Sequence, residues 1–400
     1  MKTRLIFCRF YGMIVEAVYL GADSQERGLW STDGEAEYGM LDEIVEPLEV
    51  WYRKEKRTLP WREQRNPYYI WVSEIMLQQT RVEAVKPYFQ RFIRELPDVK
   101  ALAVCPEEKL LKLWEGLGYY NRVRNMQKAA RIVMEQYGGV LPADAEALKR
   151  LPGIGSYTAG AVASIAYGIP VPAVDGNVLR VLARFREDSR DMTKQSVRKS
   201  VEADLSAVMP EKSPGEFNQA LMEVGAVICV PGGMARCREC PLARMCRAHA
   251  SGREQCYPVK AEKKPRRIEE KTVLVIRDGE RVALRKRPGR GLLAGLYEFP
   301  NLEGHRSPDE VIRWVEEAGL TPLHIQKLDD AKHIFSHVEW HMSGYAVRAA
   351  SLEAAGKGAL ILVDIKEARE KYPVPSAFSA YADYINLSLG TEKDEQRIKK

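Results

Sequence analysis

The spacing of hydrophobic and polar residues changes once along this chain, close to residue 270. Before that point, apolar residues recur every three or four positions, which predicts amphipathic helices. After Lys271, short apolar runs with turn residues between them predict strands. The predicted helices of the first part are Leu41–Tyr52, Ile70–Val82, Val82–Glu95, Pro106–Trp114, Arg122–Tyr137, Ala143–Arg150, Tyr157–Tyr167, Val178–Phe185, Met192–Met209 and Gly215–Val227.

These patterns divide the chain into an all-helical domain at 41–250 and an α+β domain at 269–389. Residues 1–40 lack periodicity and are predicted to be an N-terminal extension. The charged, proline-containing stretch 251–268 predicts a linker, and Gly390–Lys400 predicts a disordered tail. In the second domain the predicted elements are the strands Thr272–Ile276, Arg281–Lys286, Gly344–Arg348 and Ala359–Val363 and the helices Ser307–Ala318 and Ser376–Leu389.

The composition allows several classes of protein. The formal net charge is +6, from 61 Lys and Arg against 55 Asp and Glu, which permits nucleic-acid binding without requiring it. No apolar run is long enough to span a membrane. Arg9 and Glu16 interrupt the apolar N-terminal stretch, which is therefore unlike a signal peptide. We predict a cytoplasmic monomer that does not associate with a membrane.

A glycine hairpin and an aspartate stand at the centre of the helical domain. Gly153 and Gly155 separate two predicted helices, and such a hairpin can hold a phosphate on backbone N–H groups at a helix start. Asp175-Gly-Asn177 then precedes the next helix. Taken separately, the glycines fit an ordinary turn and Asp175 fits a plain helix N-cap.

Glu74 is a carboxylate within the apolar helix Ile70–Val82. A surface glutamate is a common alternative at such a position. Packed among apolar neighbours, however, its carboxyl group would lose water and its pKa would rise. A raised pKa suits a general acid.

Four of the seven cysteines lie close together with the spacing C-x₇-C-x₂-C-x₅-C, at Cys229, Cys237, Cys240 and Cys246. In a reducing compartment this clustering indicates a metal site rather than disulfides. Zinc and a [4Fe–4S] cluster both accept four thiolates. Because only one C-x₂-C pair is present, we favour the iron–sulfur cluster.

These motifs together resemble the helix–hairpin–helix DNA glycosylase superfamily, and within it the adenine DNA glycosylase (MutY) family over roughly residues 41–386. The resemblance rests on Trp-Val-Ser-Glu-Ile-Met-Leu-Gln-Gln-Thr at 71–80, Gly-Leu-Gly-Tyr-Tyr at 116–120, Leu-Pro-Gly-Ile-Gly-Ser-Tyr-Thr-Ala-Gly at 151–160, Val-Asp-Gly-Asn at 174–177 and the four cysteines. It implies a mainly α fold, with a helix–hairpin–helix domain carrying an iron–sulfur cluster and a C-terminal α+β Nudix-like domain. The first cysteine gap is usually six residues in this family and is seven here.

An enzyme that acts on a base inside a duplex must flip that base into a pocket. Cleavage of the N-glycosidic bond needs an acid for the departing base and a carboxylate for the oxocarbenium-like sugar. The resemblance assigns these roles to Glu74 and Asp175, with pKa values separated by their environments, and makes Asn177 a partner of the reaction centre. Tyr157 stands where endonuclease III-like relatives have a Schiff-base lysine, so base removal without strand cleavage is expected.

The resemblance implies further contacts with DNA that contains A·8-oxoguanine or A·G mispairs. Apolar and aromatic side chains can enter a base stack that has lost a base. The implied adenine-pocket residues are Arg57, Trp61 and Gln219, and the residues implied at the vacated stack and opposite base are Gln79, Thr80, Leu117 and Tyr119. For each of these, core or surface packing is the alternative.

The motif Phe335-Ser336-His337 is predicted to form a loop between strands. Guanine has an acceptor at N7, whereas 8-oxoguanine has a donor there and an added oxygen. A serine hydroxyl can accept and donate. An ordinary turn would also explain the motif, but the resemblance implies that this loop reads 8-oxoguanine.

Three other functions remain open from the residues. A bifunctional glycosylase and lyase, or a non-catalytic DNA-binding iron–sulfur protein, would share the helical domain. A Nudix pyrophosphohydrolase would need a helix that presents several carboxylates to Mg²⁺. The stretch 308–320 offers Asp309, Glu310, Glu316 and Glu317 but lacks an Arg-Glu pair before Glu316, which argues against hydrolysis.

Overall fold

The computed structural model describes residues 41–259, 265–352 and 360–386. The predicted extension at 1–40, the tail at 390–400, Ala359 and the middle of the predicted linker lie outside these ranges. Within them, no helix combines the length and the apolar character that crossing a membrane requires.

The first domain is helical, as its periodicity predicts. Its helices are α1 (Val45–Glu55), α2 (Pro67–Leu77), α3 (Val82–Glu95), α4 (Val99–Val104), α5 (Glu107–Leu113), α6 (Asn121–Gln136), α7 (Ala145–Lys149), α8 (Ser156–Tyr167), α9 (Gly176–Arg186), α10 (Gln195–Ala207), α11 (Pro214–Val227) and α12 (Arg247–Ala250). Helix α2 starts earlier than predicted because the Asn66 side chain accepts hydrogen bonds from the N–H groups of Tyr68 and Tyr69, and it ends at Leu77 rather than Val82. The short helix α4 was not predicted.

Two hydrophobic cores stabilise this domain. The first is built from α2 to α8 and contains the fully buried rings of Trp71 and Trp114. The second joins α1 to α9, α10 and α11 around Phe185 and Phe217. Burying such a ring contributes about 1.5–3 kcal/mol relative to leaving it exposed. Because α11 packs on both α8 and α9, a cleft forms where the two cores meet.

The second domain contains a mixed seven-stranded sheet. Its main strand order is β3-β2-β1-β6-β5, with β1 and β6 parallel, while β4 pairs with β1 and β7 with β2. The elements are β1 (Arg267–Asp278), β2 (Arg281–Lys286), β3 (Tyr297–Glu298), β4 (Asn301–Glu303), α13 (Pro308–Glu317), β5 (Pro322–Ile334), β6 (Val338–Ala349), β7 (Leu360–Asp364), α14 (Ile365–Lys371) and α15 (Ser379–Ala382).

Several of these elements depart from the prediction. Strand β1 begins two residues inside the predicted linker. Strand β5 was missed because it lies at the sheet edge with most side chains exposed, so its sequence lacks apolar alternation. The predicted helix Ser376–Leu389 is wrong for residues 376–385, which form a 3₁₀ turn, the four-residue helix α15 and a second 3₁₀ turn.

The two domains contact each other through polar groups on α6 and in the turn that follows α5. The Glu115 carboxylate is buried and accepts a hydrogen bond of 2.8 Å from the Val374 N–H. Arg124 donates to the carbonyl of Ala294 at 2.8 Å. These bonds hold the loops of the second domain that contain Ala294 and Val374 against the helical domain.

Candidate active site

A cleft of about 1210 Å³ lies between the two helical cores. Both carboxylates singled out in the sequence open into it. The cleft also brings together most of the other predicted site residues of the helical domain, namely Arg57, Trp61, Gln79, Thr80, Tyr157, Asn177 and Gln219.

Glu74 is 7% exposed, so the predicted desolvation of this carboxyl group is present. It lies on α2, which packs against α8 and so brings Glu74 to Tyr157. The Tyr157 hydroxyl donates a hydrogen bond to Glu74 Oε2. Burial raises the pKa of Glu74 to about 7, while the Tyr157 hydrogen bond acts to lower it and the charge of Asp175 adds to the rise. Near neutral pH this carboxyl group is therefore poised to hold or release a proton.

Asp175 is both a helix cap and a cleft residue. As N-cap of α9, its Oδ1 accepts the N–H groups of Asn177 and Val178, each at 2.8 Å. Its Oδ2 accepts a third hydrogen bond from Asn177 Nδ2 at 2.7 Å. Burial raises the pKa of Asp175, and these three bonds act against the rise. The two carboxyl groups thus differ in how strongly burial is opposed, not in the direction of the shift.

Asn177 is itself held in place by Arg180. The Arg180 guanidinium donates to Asn177 Oδ1 at 2.8 Å, to the Gly225 carbonyl at 2.7 Å and to the Cys229 carbonyl at 2.8 Å. Gly225 lets α11 approach closely, because a Cβ there would lie 2.6 Å from the Cβ of Asn177. The cap of α9 is therefore fixed from two sides.

Three charged residues that were not predicted as a group meet on the Arg57 side of the cleft. The Glu223 carboxylate binds the guanidinium groups of Arg57 and Arg62. Only Arg57 was singled out from the sequence. A signal was available, because Glu223 follows the predicted Gln219 by four positions and so shares its helix face.

The hairpin predicted at 150–155 joins α7 to α8. Gly153 adopts a φ of +79°, and a Cβ there would lie 2.8 Å from Asn125 Cβ, so only glycine fits without strain. Gly155 is the N-cap of α8 and is exposed. Backbone N–H groups at the start of α8 are thus available to an anion.

Arg122 joins the two loops that the resemblance placed near the base stack. Its guanidinium donates to the Gln78 carbonyl at 2.7 Å and to the Leu117 carbonyl at 2.9 Å. Tyr119 is 49% exposed and can enter a stack. Leu117, in contrast, is 6% exposed and packs in the first core, which is the alternative weighed for it, and its wedge role stays a prediction.

The loop Phe335–His337 connects β5 and β6, as predicted, and closes with a hydrogen bond from the Phe335 N–H to the Val338 carbonyl. The Phe335 ring packs between His333 and Trp340, with centroid distances of 4.6 and 4.8 Å. This packing leaves Ser336 exposed. Its hydroxyl lies 2.9 Å from the hydroxyl of Tyr119, across the domain boundary.

At least one carboxylate of α13 has a structural role. Glu310 forms a capping box with Ser307 and an ion pair of 3.0 Å with Arg306. A carboxylate committed to a helix start is not free to bind Mg²⁺, which weakens the pyrophosphohydrolase alternative further.

The residues Cys229, Cys237, Cys240 and Cys246 are all reduced and partly buried. Arg184 donates to Cys229 Sγ at 3.2 Å. Burial, helped by the negative charge of the other three cysteines and opposed by a backbone hydrogen bond at Leu242, raises the pKa of Cys240 to about 12. Thiolates that oppose one another in this way fit a multi-iron centre or a metal ion, whose positive charge would offset the repulsion. Cys237 also forms, with His249 and Glu254, a group whose ligand atoms lie within 4.8 Å of one another and could hold an ion.

Comparison with known protein families defines the class. Residues 72–206 match the model of the HhH-GPD superfamily base excision DNA repair proteins. Residues 272–384 match the model of the NUDIX domain. The chain thus combines a helix–hairpin–helix base excision repair domain that binds DNA with a Nudix-like domain.

Curated relatives narrow the class to one family. The chain is 35% identical to the adenine DNA glycosylase of Mus musculus over 411 residues, covering 87% of this chain and 79% of that protein. It is 33% identical to the adenine DNA glycosylase of Buchnera aphidicola subsp. Acyrthosiphon pisum (strain APS) over 301 residues, covering 74% of this chain and 84% of that protein. The chain belongs to the adenine DNA glycosylase family.

Proposed function

We propose that this protein removes adenine paired with 8-oxoguanine, or with guanine, by hydrolysing the N-glycosidic bond and leaving the DNA strand intact. The observation that carries the proposal is the buried Glu74, in hydrogen-bond contact with Tyr157 and facing the same cleft as Asp175. A binding protein would have no use for a carboxyl group with a pKa near neutrality at this place.

Glu74 acts as the general acid. With a pKa of about 7, a large fraction of it is protonated at neutral pH, and it can deliver that proton to N7 of the flipped adenine. Protonation turns the base into a neutral leaving group. Once the base has left, the ionised Glu74 can accept a proton from the attacking water.

Asp175 supplies negative charge to the sugar. Its three hydrogen bonds from Asn177 and Val178 fix both carboxylate oxygens and favour the ionised form. A preorganised charge of this kind stabilises a developing oxocarbenium ion without reorganisation during the reaction. Arg180 positions Asn177 and so keeps the carboxylate aimed.

Tyr157 makes the enzyme monofunctional. A phenol cannot form a Schiff base with the sugar, whereas a lysine amine at that position could. The product therefore keeps an intact strand with an abasic site, which alkali breaks in an assay.

Recognition of the duplex is divided between the two domains. The exposed hairpin at Gly153 and Gly155 binds a backbone phosphate, and Tyr119 enters the stack beside the opposite base. Ser336, within hydrogen-bond reach of Tyr119, reads the N7 and O8 edge of 8-oxoguanine. Gln79 and Thr80 contact the vacated stack from the other side.

The four cysteines of the 229–246 loop hold a [4Fe–4S] cluster. When bound, such a cluster would supply ligation that orders the loop. Arg184, through its contact with Cys229, offsets part of the negative charge of the ligands. Cysteines that bind a cluster and form no disulfides are typical of a reducing compartment, so we place the protein in the cytoplasm.

A glycosylase assay on defined duplexes tests the proposal. Purified protein is incubated with duplexes carrying A·8-oxoguanine, A·G or A·T, and each product is analysed with and without alkali. The expected result is strand breakage only after alkali, fastest opposite 8-oxoguanine and absent from A·T. Breakage without alkali would instead support a bifunctional lyase, and binding without any abasic product would support a non-catalytic DNA-binding protein.

A further inference from the structure

A second buried carboxylate lies beside the catalytic cleft. Glu223, on α11, is 1% exposed. It accepts hydrogen bonds from Arg57 Nε at 2.6 Å, Arg57 Nη2 at 3.0 Å, the Arg57 N–H at 3.2 Å and Arg62 Nη2 at 2.8 Å. Burial acts to raise its pKa, but the hydrogen bonds and charges of the two arginines outweigh burial and hold the pKa at about 2. Glu223 is therefore ionised at any working pH.

The arginines that Glu223 binds belong to the cleft wall. Arg57, Arg62 and Glu223 line the same cavity as Glu74. The charge of Arg62 acts to lower the pKa of Glu74. Met222, the neighbour of Glu223 on α11, has its sulfur 3.5 Å from the Tyr157 hydroxyl. One turn of α11 thus faces both the arginine pair and the Tyr157–Glu74 pair.

We propose that Glu223 is a positioning residue of the adenine pocket, which fixes Arg57 and Arg62 and cancels one of their two charges beside the general acid. This inference rests on the proposed function, because it concerns the proton that adenine receives. It assigns the buried carboxylate a part in the reaction that sequence motifs did not indicate.

The physical need for such a residue follows from the charges. An adenine that accepts a proton carries positive charge in the transition state, and two uncompensated guanidinium groups nearby would oppose that charge. The opposition would be strong because the cleft wall is largely shielded from water, which weakens the screening of charge. The same cations would hold Glu74 ionised and so remove the acid. With Glu223 in place, one positive charge remains for binding the base.

Other charged or titratable groups also act on Glu74 and Glu223. Those that line the cleft with Glu74 and Glu223 are Arg57, Arg62, Arg81, Glu83, Tyr157, Asp175, Arg180 and Arg198. Tyr52, on α1, also faces the arginines, and its ring lies 5.5 Å from the Arg62 guanidinium carbon.

The test compares variants that separate charge from shape. Glu223→Gln keeps the shape and removes the charge, whereas Glu223→Asp keeps the charge on a shorter side chain. Arg62→Gln removes one cation. Glu216→Gln is the matched control, because Glu216 lies on the same helix but pairs with the half-exposed Arg53. For each, the single-turnover rate of adenine release from an A·8-oxoguanine duplex is measured from pH 5 to 9, normalised to active sites by titration.

For Glu223→Gln we expect a rate at pH 7 that is lower by a factor of order 10 to 100. The pH at which its rate falls on the alkaline side of the pH–rate profile, the alkaline limb, should decrease by about one unit or more. Arg62→Gln should move that limb in the opposite direction, and Glu223→Asp should leave it near the parental position. Glu216→Gln should stay within about twofold of the parent, as expected for an exposed pair.

The outcomes separate positioning from folding. A merely structural Glu223 would lower thermal stability but leave the pH profile of the titrated enzyme unchanged, which would overturn the inference. If Glu223→Gln does not fold, Arg62→Gln provides the test. An alkaline limb that stays in place or moves to lower pH in Arg62→Gln would overturn the inference. Binding to a duplex with 2′-fluoro-2′-deoxyadenosine opposite 8-oxoguanine, measured by anisotropy, should change less than the rate. A parent protein that releases no adenine would contradict the proposed function itself, and the inference with it.

Discussion

The Tyr157 hydroxyl, at the start of one helix of the glycine hairpin, donates a hydrogen bond to the Glu74 carboxylate on α2. This contact joins the hairpin to the carboxyl group that we propose as the general acid. It also explains why a phenol suits this position. The hydroxyl stabilises the ionised form of Glu74, and a phenol cannot form a Schiff base with the sugar.

Replacing either carboxylate should abolish most of the chemistry and little of the binding. Glu74→Gln cannot donate the proton, and Asp175→Asn cannot oppose sugar charge, so we expect each to slow adenine release by a factor of order 10² or more. Affinity for the mispaired duplex rests largely on phosphate contacts and should change little. Single-turnover rates and anisotropy measure the two effects. Glu216→Gln, an acid outside this cleft that pairs with the half-exposed Arg53, is the control.

Tyr157→Phe should move the pH dependence in a defined direction. The parent loses activity as pH rises through the Glu74 pKa of about 7, because the acid must be protonated. The Tyr157 hydrogen bond lowers this pKa, so its removal should raise the pKa and shift the alkaline limb to higher pH. A limb that stayed in place or moved to lower pH would contradict this assignment of the acid.

Local sequence was sufficient to predict the burial of Glu74 and the hairpin, because apolar spacing and the glycine and proline positions determine them over a few residues. The Glu223 contacts were not predicted, since they join residues 166 and 161 positions apart in the chain. The direction of Leu117 depends on how the 116–120 loop packs, and a wedge and a core residue look alike in sequence. Strand β5 was missed because edge position, not local pattern, defines it.

Ser336→Ala should keep adenine release and reduce the preference for 8-oxoguanine over guanine. The serine hydroxyl faces Tyr119 at the place where the opposite base is expected, and one lost readout contact is worth about 1–3 kcal/mol, or roughly tenfold in the rate ratio. Combining it with His337→Ala should remove the preference more completely. Ser336→Thr retains a hydroxyl and serves as the control. An unchanged ratio in the alanine variants would exclude this loop from recognition.

Metal analysis should find iron in the purified protein. The four thiols at 229–246 suit a cubane cluster, so anaerobically prepared protein should be brown and contain about four iron atoms per chain. Cys240→Ser should lose the iron and much of its folded yield, because ligation stabilises the loop. Cys105→Ser, in the other core, should keep the iron. One zinc and no iron in the parent would contradict the cluster assignment.

Tyr157→Lys should convert base removal into strand cleavage. The residue follows the N-cap of α8 by two positions and lines the same cleft as Glu74 and Asp175, so on the proposed mechanism a lysine amine there would be close to C1′ of the flipped nucleotide. Attack by a neutral amine forms a Schiff base, which leads to β-elimination of the strand. Burial lowers a lysine pKa and so favours that neutral amine. Borohydride should trap the covalent complex with DNA, whereas Tyr157→Phe should give no trapped product. Strong trapping by the parent protein itself, at the rate of base release, would show that the enzyme is not monofunctional.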